Sequence, residues 1–120
     1  MARYVDGYLL PIPKKNVETY RGIAKKAAKV WMDHGALEYR ECIGEDLNMK
    51  FALPFTRLLK TKPSETVVFA WIVYKSRAHR DSVNAKVMKD PRMSKMMDIN
   101  NMPFDLKRMS CGGFDMIVDA

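Results

Sequence analysis

Strand-like and helix-like spacings of apolar residues alternate along the chain. Tyr4-Val5-Asp6-Gly7-Tyr8-Leu9-Leu10 is rich in strand formers and runs into Pro11 and Pro13, predicting a first strand that the prolines end. Val17, Tyr20, Ala24, Ala27 and Trp31 then recur at steps of 3, 4, 3 and 4, the spacing of one helix face. Asn16 is placed to cap this helix, Glu18 suits the positive end of its dipole, and His34-Gly35 supplies the stop. A second strand from Ala36 to Ile43 sets Leu37, Tyr39 and Ile43 on one side and Glu38 and Arg40 on the other. Leu47 to Glu65 is interrupted by Pro54 and Pro63 and reads as a loop with a short turn of helix. Thr66 to Tyr74 is the strongest strand. Ser76 caps a second long helix with an apolar stripe of Val83, Val87 and Met88, ending near Lys89-Asp90-Pro91. Arg92 to Met97 adds a helical turn, Met102-Pro103-Phe104 is loop, and Gly112-Gly113 opens a last strand over Phe114 to Val118.

The order β-α-β-β-α-β is the ferredoxin-like plan, an α+β fold whose antiparallel sheet carries two helices on one face. In the third strand Val67, Phe69, Trp71 and Val73 point one way and Val68, Ala70, Ile72 and Tyr74 the other, so both faces are apolar. A sheet with one solvated face alternates with polar residues instead. The expected cover for the second face is a second copy of the chain, which makes the protein a homodimer through its open sheet face, a dimeric α+β barrel.

At 120 residues, 48% hydrophobic and 29% charged, the chain reads as one domain over residues 1–120 and excludes a disordered or collagen-like class. Cys42 and Cys111 lie far apart without CxxC spacing, and His34 and His79 do not cluster with them. No metal site is expected and no cofactor motif appears. Each cysteine is expected to be a small buried hydrophobe in a reducing compartment. The amino terminus lacks a basic-then-apolar signal pattern, and the longest uncharged apolar run, Val67 to Tyr74, is far shorter than the roughly 20 residues of a membrane span. A cytoplasmic location follows as the expectation.

The excess of 21 Lys and Arg over 14 Asp and Glu gives a net charge of +7. Much of it gathers at Lys14, Lys15, Arg21, Lys25, Lys26 and Lys29, in and before the first helix. Nucleic-acid readout wants exposed aromatics beside such a patch, but Tyr20 and Trp31 fall on the apolar stripe and the third strand lacks an RNP pattern. Nucleic acid is therefore not the expected partner, and the run reads as a solvated helix face.

Val5-Asp6-Gly7, Gly35-Ala36-Leu37, Val67-Val68-Phe69-Ala70-Trp71-Ile72, Arg80-Asp81, Asn84, Asp90-Pro91-Arg92-Met93, Met102-Pro103-Phe104-Asp105, Lys107-Arg108-Met109 and Gly112-Gly113-Phe114 follow one another in order. Together they resemble the YbaA-like family of bacterial proteins, a group of unknown function in the dimeric α+β-barrel superfamily. The resemblance covers nearly the whole chain and implies the ferredoxin-like fold and a back-to-back sheet dimer. It departs at Leu106, Ala70 and Lys75, where the family leads one to expect Gly, Ser and Pro. The wider superfamily holds monooxygenases, haem enzymes, isomerases and ligand binders, among which fold does not choose.

Two readings of the polar residues stay open. Arg80 and Asn84 share a helix face beside the Val83/Val87/Met88 stripe, with Asp6 and Asp105 as the expected partners of a partly buried Arg. They form either an internal ion-pair network or the polar end of a small-molecule pocket. That pocket, between sheet and helices, would be lined by Tyr8, Trp71, Met88, Phe104 and Phe114. Arg80, Asn84 and Asp105 would then hold the ligand's polar end, with Trp71 and Phe104 stacked on its body. An alternative is a cofactor-independent monooxygenase-type enzyme with His79 as base, and another is a weak nucleic-acid accessory protein. Seven of the ten methionines (Met88, Met93, Met96, Met97, Met102, Met109 and Met116) fall in the last 33 positions. They suit an adaptable flap over a pocket or dimer seam.

Overall fold

The computed structural model describes residues 2–96 and 101–120. Its sheet consists of β1 (Tyr4–Pro13), β2 (Glu38–Ile43), β3 (Glu65–Tyr74) and β4 (Ser110–Asp115) in the order β2-β3-β1-β4, with every pairing antiparallel. Helices α1 (Val17–Asp33), α2 (Phe55–Leu58), α3 (Arg77–Lys89) and α4 (Pro91–Met96) complete the chain, with short 3-10 turns at Lys14–Asn16 and Leu106–Arg108. This is the ferredoxin-like α+β arrangement that the periodicities predict. α1 and α3 pack on one face, where Val30, Val83 and Val87 meet Ile72 and Tyr74. No helix among the described residues is long and apolar enough to cross a membrane.

Three local expectations are corrected. β1 runs through both prolines, pairing Pro11 with Val67 and Pro13 with Glu65. The Lys14 N–H donates to Ser64 O, so even-numbered positions face β3, while Pro11 and Pro13 face the other edge beyond the last β1–β4 pair, Leu9–Ser110. A proline there removes no ladder hydrogen bond. β4 begins earlier than expected, and Gly112 and Gly113 lie inside it. A Cβ on Gly113 would come 2.3 Å from the Tyr4 hydroxyl oxygen, so the glycine makes room for a buried ring rather than opening the strand. Asn16 makes no side-chain cap to α1, because its amide donates to Pro103 O at 2.9 Å.

Elsewhere the caps fall where expected. The Ser76 hydroxyl accepts from the His79 N–H, and Gly35, at φ +108°, turns the chain out of α1 in a conformation that favours glycine. The final turn expected to Met97 is present as α4, and Met97 itself lies outside the described residues.

Register decides which side chains share a face. Tyr8, Ala70 and Glu41 form one row beneath the helices, as do Asp6, Ile72 and Tyr39. Val67, Phe69, Trp71 and Val73 stand on the opposite face, where Phe55 of α2 packs against Phe69 at a ring separation of 6.5 Å. Phe69 and Phe114 on that face remain 45% and 59% exposed. Cys42 and Cys111 are both exposed, against the expectation of burial, because each sits on an edge strand, β2 or β4.

Candidate functional site

Between α1 and the sheet lies a cavity of about 420 Å³. Its roof is the apolar stripe of α1, where Ala24 and Ala27 alternate with Tyr20 and Trp31. The alanines leave the space that longer side chains would fill. The floor repeats that logic: small Ala70 stands between Tyr8 on β1 and Glu41 on β2. The far wall is built from Met88, Met93, Met96, Met102, Phe104, Leu106 and Met109. Five of the seven late methionines thus converge on one space, although they are dispersed in sequence.

Three tyrosines, Glu41, Arg40 and Asn84 are polar residues in the lining of this cavity. The hydroxyls of Tyr20 and Tyr39 both donate to Glu41, the latter to Oε2 at 2.7 Å. Burial, reinforced by the Glu41 charge, pushes both phenols far above their ordinary range. Burial and then the Asp6 charge raise Tyr8 in the same direction. The Tyr20 and Tyr39 hydroxyls are held as donors to Glu41. Asn84 reaches the wall from α3, but its carbonyl oxygen already accepts from Trp31 Nε1 at 3.1 Å and from the Tyr74 hydroxyl at 3.2 Å.

The remaining predicted residues are placed elsewhere. Arg80 does not line the cavity. Its Nη1 donates to Asp6 Oδ1 at 2.6 Å, its Nε to Asp81 at 2.8 Å, and its guanidinium lies 4.9 Å from the Tyr4 ring centre. Burial raises Asp6 more than Arg80 and Asn84 lower it. Asp105 joins neither residue: its carboxylate caps the 3-10 turn by accepting from the Lys107 N–H. Trp71 stands on the opposite sheet face, beside Phe69, and donates from Nε1 to Glu38 at 2.9 Å. Phe114 lies on that same face, with its ring over Gly7 and Gly112. His79 also lies outside the cavity, where its Nδ1 accepts from the Lys75 N–H and its ring meets Tyr74 edge-on. Tyr8, Asn84, Met88 and Phe104 do line it. Among the described residues, no group of three His, Cys, Asp or Glu side chains could hold a metal ion.

Glu41 is the residue that sequence reasoning passed over. Alternation along β2 could have found it, since it shares the Tyr39 and Ile43 side and is the one carboxylate on that apolar face.

A ferredoxin-like sheet with an aromatic and methionine-walled cavity under its helices defines the class. The chain belongs to the family described as "Protein of unknown function (DUF1428)", whose pattern matches residues 3–106. It is 41% identical over 117 residues to uncharacterised protein YbaA of Escherichia coli K12, covering 98% of each chain. Among solved structures it is similar to a dimeric ferredoxin-like protein from an uncultured marine organism, with TM-score 0.62, 11% identity and all of both chains covered. A NIPSNAP family protein of unknown function from Agrobacterium tumefaciens matches with TM-score 0.63 and 10% identity, over 96% of this chain and 88% of that one. At such identities the likeness is one of fold.

Proposed function

We propose that the protein is a cytoplasmic homodimer, each protomer one domain, that binds a small, mostly apolar or aromatic molecule between sheet and helices. The cavity carries the reading. Its volume of about 420 Å³ falls in the range of small-molecule sites, and its aromatic and thioether walls suit an organic body better than water. Phe69 and Phe114, exposed on the opposite face, support pairing through that face, as does the dimeric state of the marine ferredoxin-like protein. Exposed, unpaired Cys42 and Cys111 fit a reducing compartment.

The enzyme reading rests on His79 as base, and its position outside the cavity gives it no substrate to reach. The nucleic-acid reading needs aromatics beside the α1 cations, whereas Tyr20 and Trp31 turn into the cavity.

A thermal-shift titration with 2-methylnaphthalene, an apolar bicyclic probe, tests the ligand site. Binding should raise Tm by several degrees at saturating probe. Ala27→Leu, which fills the roof, should abolish the shift while leaving the free protein folded. Undiminished binding by Ala27→Leu would place the ligand elsewhere.

A further inference from the structure

The two ends of the cavity floor differ in chemistry, and the difference selects among ligands. Glu41 accepts two phenolic hydrogen bonds, from Tyr20 and Tyr39. A carboxylate has about four acceptor sites, so two remain for a third and fourth donor. Arg40, the other charged residue along this wall, stands with Trp71 on the opposite sheet face and donates to Tyr39 O. Arg21 and Lys25 lie in a separate hollow beyond the Tyr20–Glu41–Tyr39 bridge. Among the described residues that line the cavity, Glu41 is the one carboxylate, and Arg40, the one cation, belongs to the opposite sheet face. Tyr8 stands two strands away in the same row, about 10 Å off by strand spacing, and its hydroxyl has no hydrogen-bond partner among the described residues. Ala70 leaves the floor between them open.

Accordingly, we infer that the cavity is a site for a lipophilic ammonium, an aromatic or aliphatic body carrying a protonated amine that donates to Glu41. The inference rests on the ligand-binding reading above. Arg80, expected from the sequence to hold the ligand's polar end, is instead paired with Asp6 and Asp81 outside the cavity. An ammonium offers the donors that Glu41 lacks, charge-assisted hydrogen bonds are the stronger kind, and the aromatic walls favour a cation. A carboxylic acid of the same shape would set its charge against Glu41.

Isothermal titration of the full chain with four isosteric probes tests this: 2-naphthylmethylamine, 2-naphthalenemethanol, 2-methylnaphthalene and 2-naphthoate. The amine should bind about tenfold more tightly than the hydrocarbon, with the alcohol between them and the naphthoate weakest. Glu41→Gln, which keeps a carbonyl for the tyrosines, should erase the amine's advantage while leaving the hydrocarbon's affinity within about twofold. Glu41→Asp, which keeps the charge but withdraws the carboxylate by one methylene, should reduce the same advantage and provides the test if Glu41→Gln does not fold. An amine no tighter than the hydrocarbon, or an advantage that survives Glu41→Gln, would overturn the inference and leave the cavity reading standing. Binding of none of the four would overturn both.

Discussion

Asp6 is a buried carboxylate inside an apolar strand, and the fold tolerates it through one cation. Arg80 reaches it at 2.6 Å while lying over Tyr4, whose ring in turn occupies the space above Gly113. Removing the cation alone should therefore be the worst change in this group. Arg80→Met is expected to destabilise by about 3 kcal/mol, because it leaves an uncompensated buried charge. The double variant Asp6→Leu/Arg80→Met should recover most of the loss in urea unfolding, and a double variant as unstable as the single one would refute the account. Gly113→Ala is expected to cost about 1–3 kcal/mol, since the new methyl meets a ring with little room to move. Of these residues, the Asp6–Arg80 pairing was legible: an acid in an apolar strand and a base beside an apolar helix stripe each need a partner. The Tyr4–Gly113 contact was not, because strand register, absent from local pattern, brings them together.

At the level of elements, the carboxyl end of α1 is latched to α4. The His34 imidazole pairs with Asp90 at 2.8 Å, and Arg92 bonds both Asp90 and Asp33. Arg92, and then the backbone and His34, hold the Asp90 carboxyl well below its ordinary 3.8, and Arg92 likewise lowers Asp33. Arg108 does the same for Glu65, tying β3 to the segment before β4. A lowered folded-state value means stability fully present above the ordinary carboxylate range and lost as pH falls through it. Asp6, whose value is raised, works in the opposite sense. Arg3 lowers Asp119 as Arg108 lowers Glu65, so with four carboxylates against one, stability should decline between about pH 5 and pH 2. Asp90→Asn should be less stable at pH 7 and show a shallower decline, measured by thermal unfolding at each pH. An unchanged slope would remove the latch from the explanation. α4 also carries Met93 and Met96 into the cavity, so the latch holds part of the ligand wall in place.

For the whole molecule, the two sheet faces have separate tasks in the proposed function. One holds the cavity under α1 and α3; the other presents Phe69 and Phe114 to a second copy. Phe69→Lys should convert the dimer to a monomer in sedimentation velocity, because a charge would be buried in the seam. The same variant should keep its affinity for 2-methylnaphthalene, since Phe69 lies across the sheet from the cavity. A wild-type monomer at micromolar concentration would overturn the pairing. The placement of Trp71 belongs at this scale too. A tryptophan in a strand suits a stacking role, but parity puts it beside Phe69, on the sheet face opposite the cavity.

Period alone determined the order of elements, the inner stripe of α1 and the two apolar faces of β3, because each is a local repeat that burial enforces. Family likeness followed from short motifs in the same order. Tertiary structure decided which polar residues meet. Strand pairing puts Glu41, Ala70 and Tyr8 in one row from three separate segments, and chain folding gathers five dispersed methionines around them. Asp105 and His79 were drawn to a site by their chemistry, yet each is occupied by a nearby backbone N–H. A cavity is the space left between elements, and its chemistry depends on register and small side chains that no single segment reveals.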